Sequence, residues 1–161
     1  MIRLPKQVGG PGARAPVDGP PTRWWSEAEV RSVLGRRAVL DGVVVTSSSR
    51  DGGVGWGCRY SVDGGRSELS AAVLTWVDEA DAAEVLLRRA TAVPVEVRGA
   101  DDAAMDSTTD EDGCPRHRLV VRAGRQVRSI ELVLRGSDRP PAHHPPGAGR
   151  SLLRLYQLLW A

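Results

Sequence analysis

The 161-residue sequence predicts an α+β fold, in which an antiparallel β-sheet carries helices packed on it. Two observations support this fold class. β-Rich segments are joined by short glycine-containing turns, and such turns connect antiparallel strands. Helical patterns are separated by runs of strands, which favours helices laid on one sheet. The strands form two hairpin groups, over residues 43–90 and 93–160, and each group is predicted to be closed by a helix.

Residues 1–22 are predicted to be a disordered tether rich in proline and glycine. They contain five prolines, four glycines and few large apolar residues, so they cannot bury enough surface to offset the entropy lost on ordering. Residues 23–161 have the length of one domain and are predicted to form a single α+β domain.

Ordered structure is predicted to begin at two tryptophans that pack at the start of a short helix. Ser26 and Glu29 have the spacing of a capping box, and Gly35 is suited to end the helix. The β-branched run 43–46 predicts a strand. The serine- and glycine-rich run 47–55 predicts a mobile connection.

Residues 56–76 are predicted to form a β-hairpin around which the rest of the chain is arranged. Alternate side chains of a strand point to the same face of a sheet. The residues that share one face of the first strand are Trp56, Cys58, Tyr60 and Val62. The turn Asp63-Gly64-Gly65 accepts the positive φ angles that a tight hairpin requires.

The remaining elements follow from periodicity and turn residues. The acidic run 101–113 is short of β-branched apolar residues and predicts an exposed loop. The other predicted elements are a helix over 78–90, a strand over 93–97, a hairpin of 117–122 with 127–135, and a terminal helix over 150–160. The predicted core comprises Val33, Leu34, Trp56, Tyr60, Val62, Leu86, Leu119, Ile130, Leu132, Leu134, Leu155 and Leu159.

Composition restricts the classes of protein. Hydrophobic residues make up 41% of the chain and charged residues 26%, values typical of a soluble globular protein. The 22 basic and 20 acidic side chains are spread along the chain, so nucleic acid is not an expected partner. The sequence has no run of eighteen apolar residues and no signal-peptide pattern at its start. The protein is expected to be cytoplasmic, or to have a signal or anchor outside this sequence.

The chemistry-bearing residues form no established catalytic or metal motif. Cys58 and Cys114 allow a disulfide, a contribution to a metal site or two unrelated thiols, and the count does not choose among these. Cys114 and His117 have C-x-x-H spacing, and with the pair His143-His144 they are the basis of an alternative zinc site. The sequence lacks the G-x-S-x-G element of a serine nucleophile and the spacing of a calcium-binding loop. No catalytic residue, metal ligand or cofactor is therefore assigned.

Three stretches of the chain form a combination that is typical of one group of proteins. They are Trp25-Ser-Glu-Ala-Glu-Val-Arg-Ser-Val-Leu-Gly35, then Gly57-Cys-Arg-Tyr60, then the helix that begins at Asp78. The combination resembles exported lipoproteins of actinobacteria that are classed as domains of unknown function. Those proteins typically pair a short "L-T-x-A-E-V-x-x-V-L-G" helix with a later Cys-x-Trp/Tyr strand.

The resemblance implies a disulfide and a compartment. In that group a cysteine often precedes the first helix; here Trp24 and Trp25 occupy that neighbourhood. The implied partner of Cys58 is then Cys114. The implied function is that of a non-enzymatic, extracytoplasmic binding, sensing or accessory domain of an actinobacterial cell envelope.

The expected partner is a small apolar ligand, a cell-envelope component or a protein, and membrane contact is expected only through an anchor outside this chain. A cytoplasmic enzyme or metal-dependent regulator is the alternative. The predicted ligand surface lies between the sheet and the terminal helix, because that helix is apolar on more than one side and aromatic side chains give large contact areas. Its predicted residues are Trp56, Trp76, Tyr156 and Trp160.

Overall fold

The computed structural model describes residues 23–48, 53–76, 92–135 and 147–160. Within these residues, two helices and a seven-stranded sheet form an α+β fold. The helices are α1 (Glu27–Leu34) and α2 (Ala148–Trp160). The strands are β1 (Ala38–Ser48), β2 (Gly53–Val62), β3 (Ser67–Thr75), β4 (Val93–Pro94), β5 (Asp102–Thr109), β6 (Pro115–Ala123) and β7 (Gln126–Leu134). Their order in the sheet is β1-β2-β3-β7-β6-β5-β4, and every neighbouring pair is antiparallel.

The predicted central hairpin is confirmed as β2 and β3. Its turn has positive φ angles at Asp63 (52°), Gly64 (69°) and Gly65 (90°), which explains the glycine pair. Tyr60 is fully buried whereas Arg59 is exposed, so the predicted alternation is correct. The order of strands places this hairpin between β1 and β7.

The sequence-based bounds of β1 and β2 were too short. β1 extends to Ser48 and β2 begins at Gly53, so most of the predicted mobile connection is strand. β1 has a bulge between Leu40 and Gly42, which lets it continue along β2 after a change of register.

The prediction of an exposed loop over 101–113 is wrong, because most of it is β5. Small and apolar side chains on one face of β5, including Ala103 and Met105, pack against the core. On the other face, Asp102 accepts a hydrogen bond from Arg122 of β6 at 2.6 Å. The acidic residues are therefore compatible with a strand because the neighbouring strand supplies arginines. The predicted strand over 93–97 shortens to β4.

Both helices pack on the same face of the sheet. α1 has the predicted capping box, and Gly35 ends it with a φ of 66°. α2 approaches the sheet closely at Gly149, where an added Cβ would lie 2.6 Å from the sulfur of Met105. Neither described helix is long and apolar enough to cross a membrane.

A buried hydrogen-bonded cluster joins α1, β2 and α2, and we call it the Trp25 cluster (Trp25, Tyr60 and Leu155). The indole N–H of Trp25 donates to the carbonyl of Leu155 at 2.8 Å, across 130 positions of sequence. The Tyr60 hydroxyl donates to the Trp25 carbonyl at 2.6 Å, and the two rings lie 5.9 Å apart. These bonds fix the start of α1 against the sheet and α2.

The predicted core is confirmed where it is described except at Trp56, which is half-buried and belongs to neither hydrophobic cluster. The fully or nearly fully buried members are Tyr60, Val62, Leu119, Ile130, Leu132 and Leu155. The half-buried members are Val33, Leu34, Trp56, Leu134 and Leu159. Leu86, the tether over 1–22 and the helix over 78–90 lie outside the described residues. The closure of each hairpin group by a helix therefore remains a prediction.

Candidate functional site

The disulfide between Cys58 and Cys114 does not form in the structure, where both cysteines are free. Cys58 lies in β2, and Cys114 immediately precedes β6. Since β3 and β7 lie between these strands, the cysteines are separated by three strand spacings, about 14 Å. A disulfide requires Cα atoms closer than about 7 Å, so the order of the strands excludes this pairing.

Neither thiol is activated for nucleophilic chemistry. Burial raises the pKa of Cys58 to about 12. The pKa of Cys114 is also raised, first by burial and then by the negative charge of Asp110. A reactive cysteine needs a lowered pKa, so the environments of both residues favour the inert thiol.

The four aromatic residues of the predicted ligand surface lie in three separate places. Tyr156 and Trp160 are in contact on α2, with ring centroids 5.1 Å apart. Trp76 belongs to a cluster with Val120 and Val127, whose positions in β6 and β7 place it on the opposite face of the sheet. The structure therefore does not bring Trp76 to the predicted surface.

Trp56 lies on the same face as α2 but at a distance from the aromatic pair. It is opposite Val73 in β3, and Val73 is opposite Arg128 in β7. These three residues form one row across the sheet, with Trp56 two strand spacings, about 10 Å, from Arg128. Trp56 is half-buried and borders the surface.

The centre of the surface is an arginine that sequence reasoning missed. Arg128 places its guanidinium 5.6 Å from the centre of the Trp160 ring, and its Nη1 donates to the Tyr156 hydroxyl at 2.9 Å. Its Nη2 and Nε donate to the side-chain oxygen of Gln126 at 3.0 and 3.3 Å. We call Arg128, Gln126, Tyr156 and Trp160 the Arg128 site.

Arg128 differs from the arginines on the opposite face of the sheet because its partners carry no negative charge. On the opposite face, Arg122 pairs with Asp102, and Arg118 pairs with Glu131. The partners of Arg128 are a phenol, an amide and an indole, which are all neutral. Arg128 is half-buried and forms no ion pair with a described residue.

Arg128 contacts the C-terminal half of α2 through two aromatic side chains. The C-terminal end of a helix carries a partial negative charge, and α2 has no basic residue in its last turn. Arg128 reaches that turn through Tyr156 and Trp160. These contacts bring no carboxylate to the N–H groups of Arg128.

The remaining hydrogen-bonding capacity of Arg128 follows from its chemistry. A guanidinium has five N–H donors, and the contacts with Gln126 and Tyr156 use three of them. Two N–H groups therefore have no acceptor among the described residues. The signal in the sequence was the alternation of Ile130, Leu132 and Leu134, because extending it by one step places Arg128 on the same buried face.

The structure gives no support to the predicted alternative zinc site. Within residues 23–48, 53–76, 92–135 and 147–160, no three histidine, cysteine or acidic side chains are grouped as metal ligands. His143 and His144 lie outside the described residues.

One serine–histidine contact bears on the enzymatic alternative. The hydroxyl of Ser107 in β5 lies 3.0 Å from Nδ1 of His117 in β6, and the two residues are directly opposite in the strand register. His117 is buried and Ser107 is exposed. Hydrolysis by an activated serine requires a base within hydrogen-bonding distance of the hydroxyl, but Ser107 lies on a regular strand and not on the sharp turn typical of such a nucleophile.

The sequence matches no protein-family model and no curated protein. Among solved structures, the chain is similar to the extracellular domain of PknH from Mycobacterium tuberculosis, with a TM-score of 0.52 and 11% sequence identity. The alignment covers 84% of this chain and 92% of that domain. At this identity, the similarity shows a shared fold.

Proposed function

We propose that the protein is a non-enzymatic, extracytoplasmic binding or sensing domain of an actinobacterial cell envelope, and that it binds its ligand at the Arg128 site. The observation that carries this proposal is a half-buried guanidinium held by neutral side chains, with two N–H donors unused by the described residues. Polar groups of protein interiors are normally matched, so surplus donors beside the half-buried ring of Trp160, on the buried Tyr156, are typical of a binding site.

Two further points support this proposal. The extracellular domain of PknH has the same fold, which is compatible with an extracytoplasmic location. The resemblance to exported actinobacterial lipoproteins rests on α1, on β2 and on the segment that begins at Asp78. None of these stretches contains a residue of the Arg128 site, so the resemblance and the site are two independent arguments for the proposal.

The test is ligand-induced stabilisation of the full chain. A soluble digest of actinobacterial cell wall and phospholipid vesicles are each added, and the unfolding temperature is measured with and without them. A ligand that binds only the folded state raises this temperature. We expect the double variant Tyr156→Ala, Trp160→Ala to lose the stabilisation seen with the wild type.

The matched control is Leu158→Ala, which removes an exposed apolar side chain from the same helix. It should keep the full stabilisation. If a folded double variant responds like the wild type, or if nothing in either preparation stabilises the wild type, the Arg128 site is not the binding surface.

The enzymatic alternative has its own measurement, because Ser107 and His117 lie away from Arg128 in the sheet. Hydrolysis of an activated ester is compared for the wild type, Ser107→Ala and His117→Gln. We expect the same background rate for all three. A rate that disappears in the folded Ser107→Ala variant would overturn the non-enzymatic proposal.

A further inference from the structure

Resting on the proposed function, we infer that the ligand of the Arg128 site carries an oxyanion, a carboxylate or a phosphate, next to a flat apolar group. The oxyanion is bound by the two N–H groups of Arg128 that the described residues leave unused. The apolar group packs on the half-buried surface of Trp160.

Charge is the first reason for an anionic ligand. Arg128 has no acidic partner among the described residues, because its contacts are with the neutral side chains of Gln126, Tyr156 and Trp160. A bound carboxylate or phosphate would neutralise the guanidinium. A cationic ligand is disfavoured, because the guanidinium already lies over the Trp160 ring where a cation would stack.

Geometry is the second reason. The N–H groups of a guanidinium lie in one plane and bind the two oxygens of a carboxylate or phosphate side by side. Gln126 and Tyr156 accept hydrogen bonds from the guanidinium, and its carbon lies 5.6 Å from the centre of the Trp160 ring. The arginine is thus oriented before a ligand arrives, which lowers the entropy lost on binding.

The mixed chemistry of the site indicates an amphiphilic ligand. An inorganic anion would use the N–H groups but not the aromatic surface. A neutral apolar molecule would use the aromatic surface and leave the N–H groups desolvated without an acceptor, which is unfavourable. A compound with both features uses both parts.

Four small probes separate these contributions. Benzoate and phenyl phosphate have an oxyanion and a ring, benzamide has the shape of benzoate without its charge, and acetate has the charge without the ring. Binding to the full chain is measured by calorimetry at low ionic strength. We expect benzoate and phenyl phosphate to bind, and benzamide and acetate to bind at least about tenfold more weakly, as for loss of a charged hydrogen bond or a ring contact.

The comparison of benzoate with phenyl phosphate distinguishes the two oxyanions. Added salt should weaken the binding of both, since the interaction includes a charge at the protein surface.

The variants Arg128→Gln and Arg128→Lys test the role of the guanidinium. Arg128→Gln removes the charge and should weaken benzoate binding at least about tenfold. Arg128→Lys keeps the charge but loses the planar pair of donors, so it should bind at an intermediate level. The matched control is Arg122→Gln, which removes an arginine from the opposite face of the sheet and should bind benzoate like the wild type. Circular dichroism confirms that each variant is folded.

The outcomes separate this inference from the proposed function. If benzamide binds as tightly as benzoate and Arg128→Gln has no effect, the oxyanion inference is wrong although the site still binds ligands. If Arg122→Gln weakens binding as much as Arg128→Gln does, the effect is one of net charge and the inference is also wrong. If no probe binds and the cell-wall and vesicle preparations also fail, the proposed function fails with it.

Discussion

The Trp25 cluster and the Arg128 site are both polar clusters that hold α2 on the sheet, but they differ in how their donors and acceptors are matched. In the Trp25 cluster, each donor has one buried acceptor, and all three residues are almost completely buried. In the Arg128 site, a cation is half-buried and two of its donors have no acceptor in the described part of the chain. Contacts that look alike on one helix can therefore have different roles, because a matched cluster stabilises the fold and an unmatched cluster can bind a ligand.

The first prediction tests the structural side of this comparison and has the largest expected effect. Trp25→Ala should lower the free energy of unfolding by about 3–5 kcal/mol, because it removes a buried indole and the bond to Leu155. The measurement is denaturant unfolding followed by circular dichroism. The control is Trp24→Ala, which changes the neighbouring half-buried tryptophan and should lower the free energy by about 1–2 kcal/mol. Equal losses for the two variants would show that the buried cluster has no special role.

The second prediction compares the two tyrosines. Tyr60→Phe should lower the free energy of unfolding by about 1–3 kcal/mol, because it leaves the buried carbonyl of Trp25 without its donor. Tyr156→Phe should lower it by less than about 1 kcal/mol, because the donor that it releases belongs to a half-buried arginine that keeps its two contacts with Gln126.

The same pair of variants also separates stability from binding. Tyr156→Phe keeps the aromatic ring and the contacts of Arg128 with Gln126 but removes one contact that orients the guanidinium, so benzoate binding should weaken only slightly. Tyr60→Phe should retain it in full, since Tyr60 does not belong to the Arg128 site. A loss of benzoate binding in Tyr156→Phe without a loss of stability would mean that the phenol itself contacts the ligand.

Local patterns predicted the central part of the fold well. The alternation through Tyr60 and Val62, the turn at Asp63-Gly64-Gly65 and the capping box of α1 depend on residues close together in sequence. Such signals can be interpreted without knowing which strands are neighbours. β5 could not be recognised in this way, because its acidic residues become favourable only beside the arginines of β6.

The candidate site was predicted only in part, because local sequence patterns do not specify contacts between distant elements. Tyr156 and Trp160 follow from the apolar pattern of α2, and the alternation of β7 contained the position of Arg128. The contact between them depends on how α2 docks on the sheet, which no local pattern specifies. Trp76 was misplaced, because it lies three positions after Val73 and therefore on the opposite face of the sheet.

The third prediction concerns a matched polar cluster that is exposed, and it has the smallest expected effect. At the start of α1, Glu29 accepts hydrogen bonds from Arg23 at 2.7 Å and from the backbone N–H of Ser26 at 2.8 Å. These bonds, the Arg23 contact first, lower the pKa of Glu29 to about 2. Because the folded-state pKa lies below the ordinary value of about 4.3, the carboxylate stabilises the fold above that value. The stabilisation is lost as the pH falls from about 4 towards 2.

The loss of stability in Glu29→Gln shows whether hydrogen-bonded pairing alone, without burial, stabilises the fold strongly. Arg23 is more than half exposed, so water and salt screen the pair and Glu29→Gln should lower the free energy of unfolding at pH 7 by only about 0.5–1 kcal/mol. Unfolding is measured for the wild type and Glu29→Gln between pH 7 and pH 2.5, and the difference between them should shrink at the acidic end. The control is Glu68→Gln, which breaks an exposed ion pair with Arg59 away from any helix end. If Glu29→Gln lowered the free energy of unfolding as much as Tyr60→Phe, exposed and buried hydrogen-bonded pairs would stabilise the fold equally. Burial would then not explain the contribution of the Trp25 cluster.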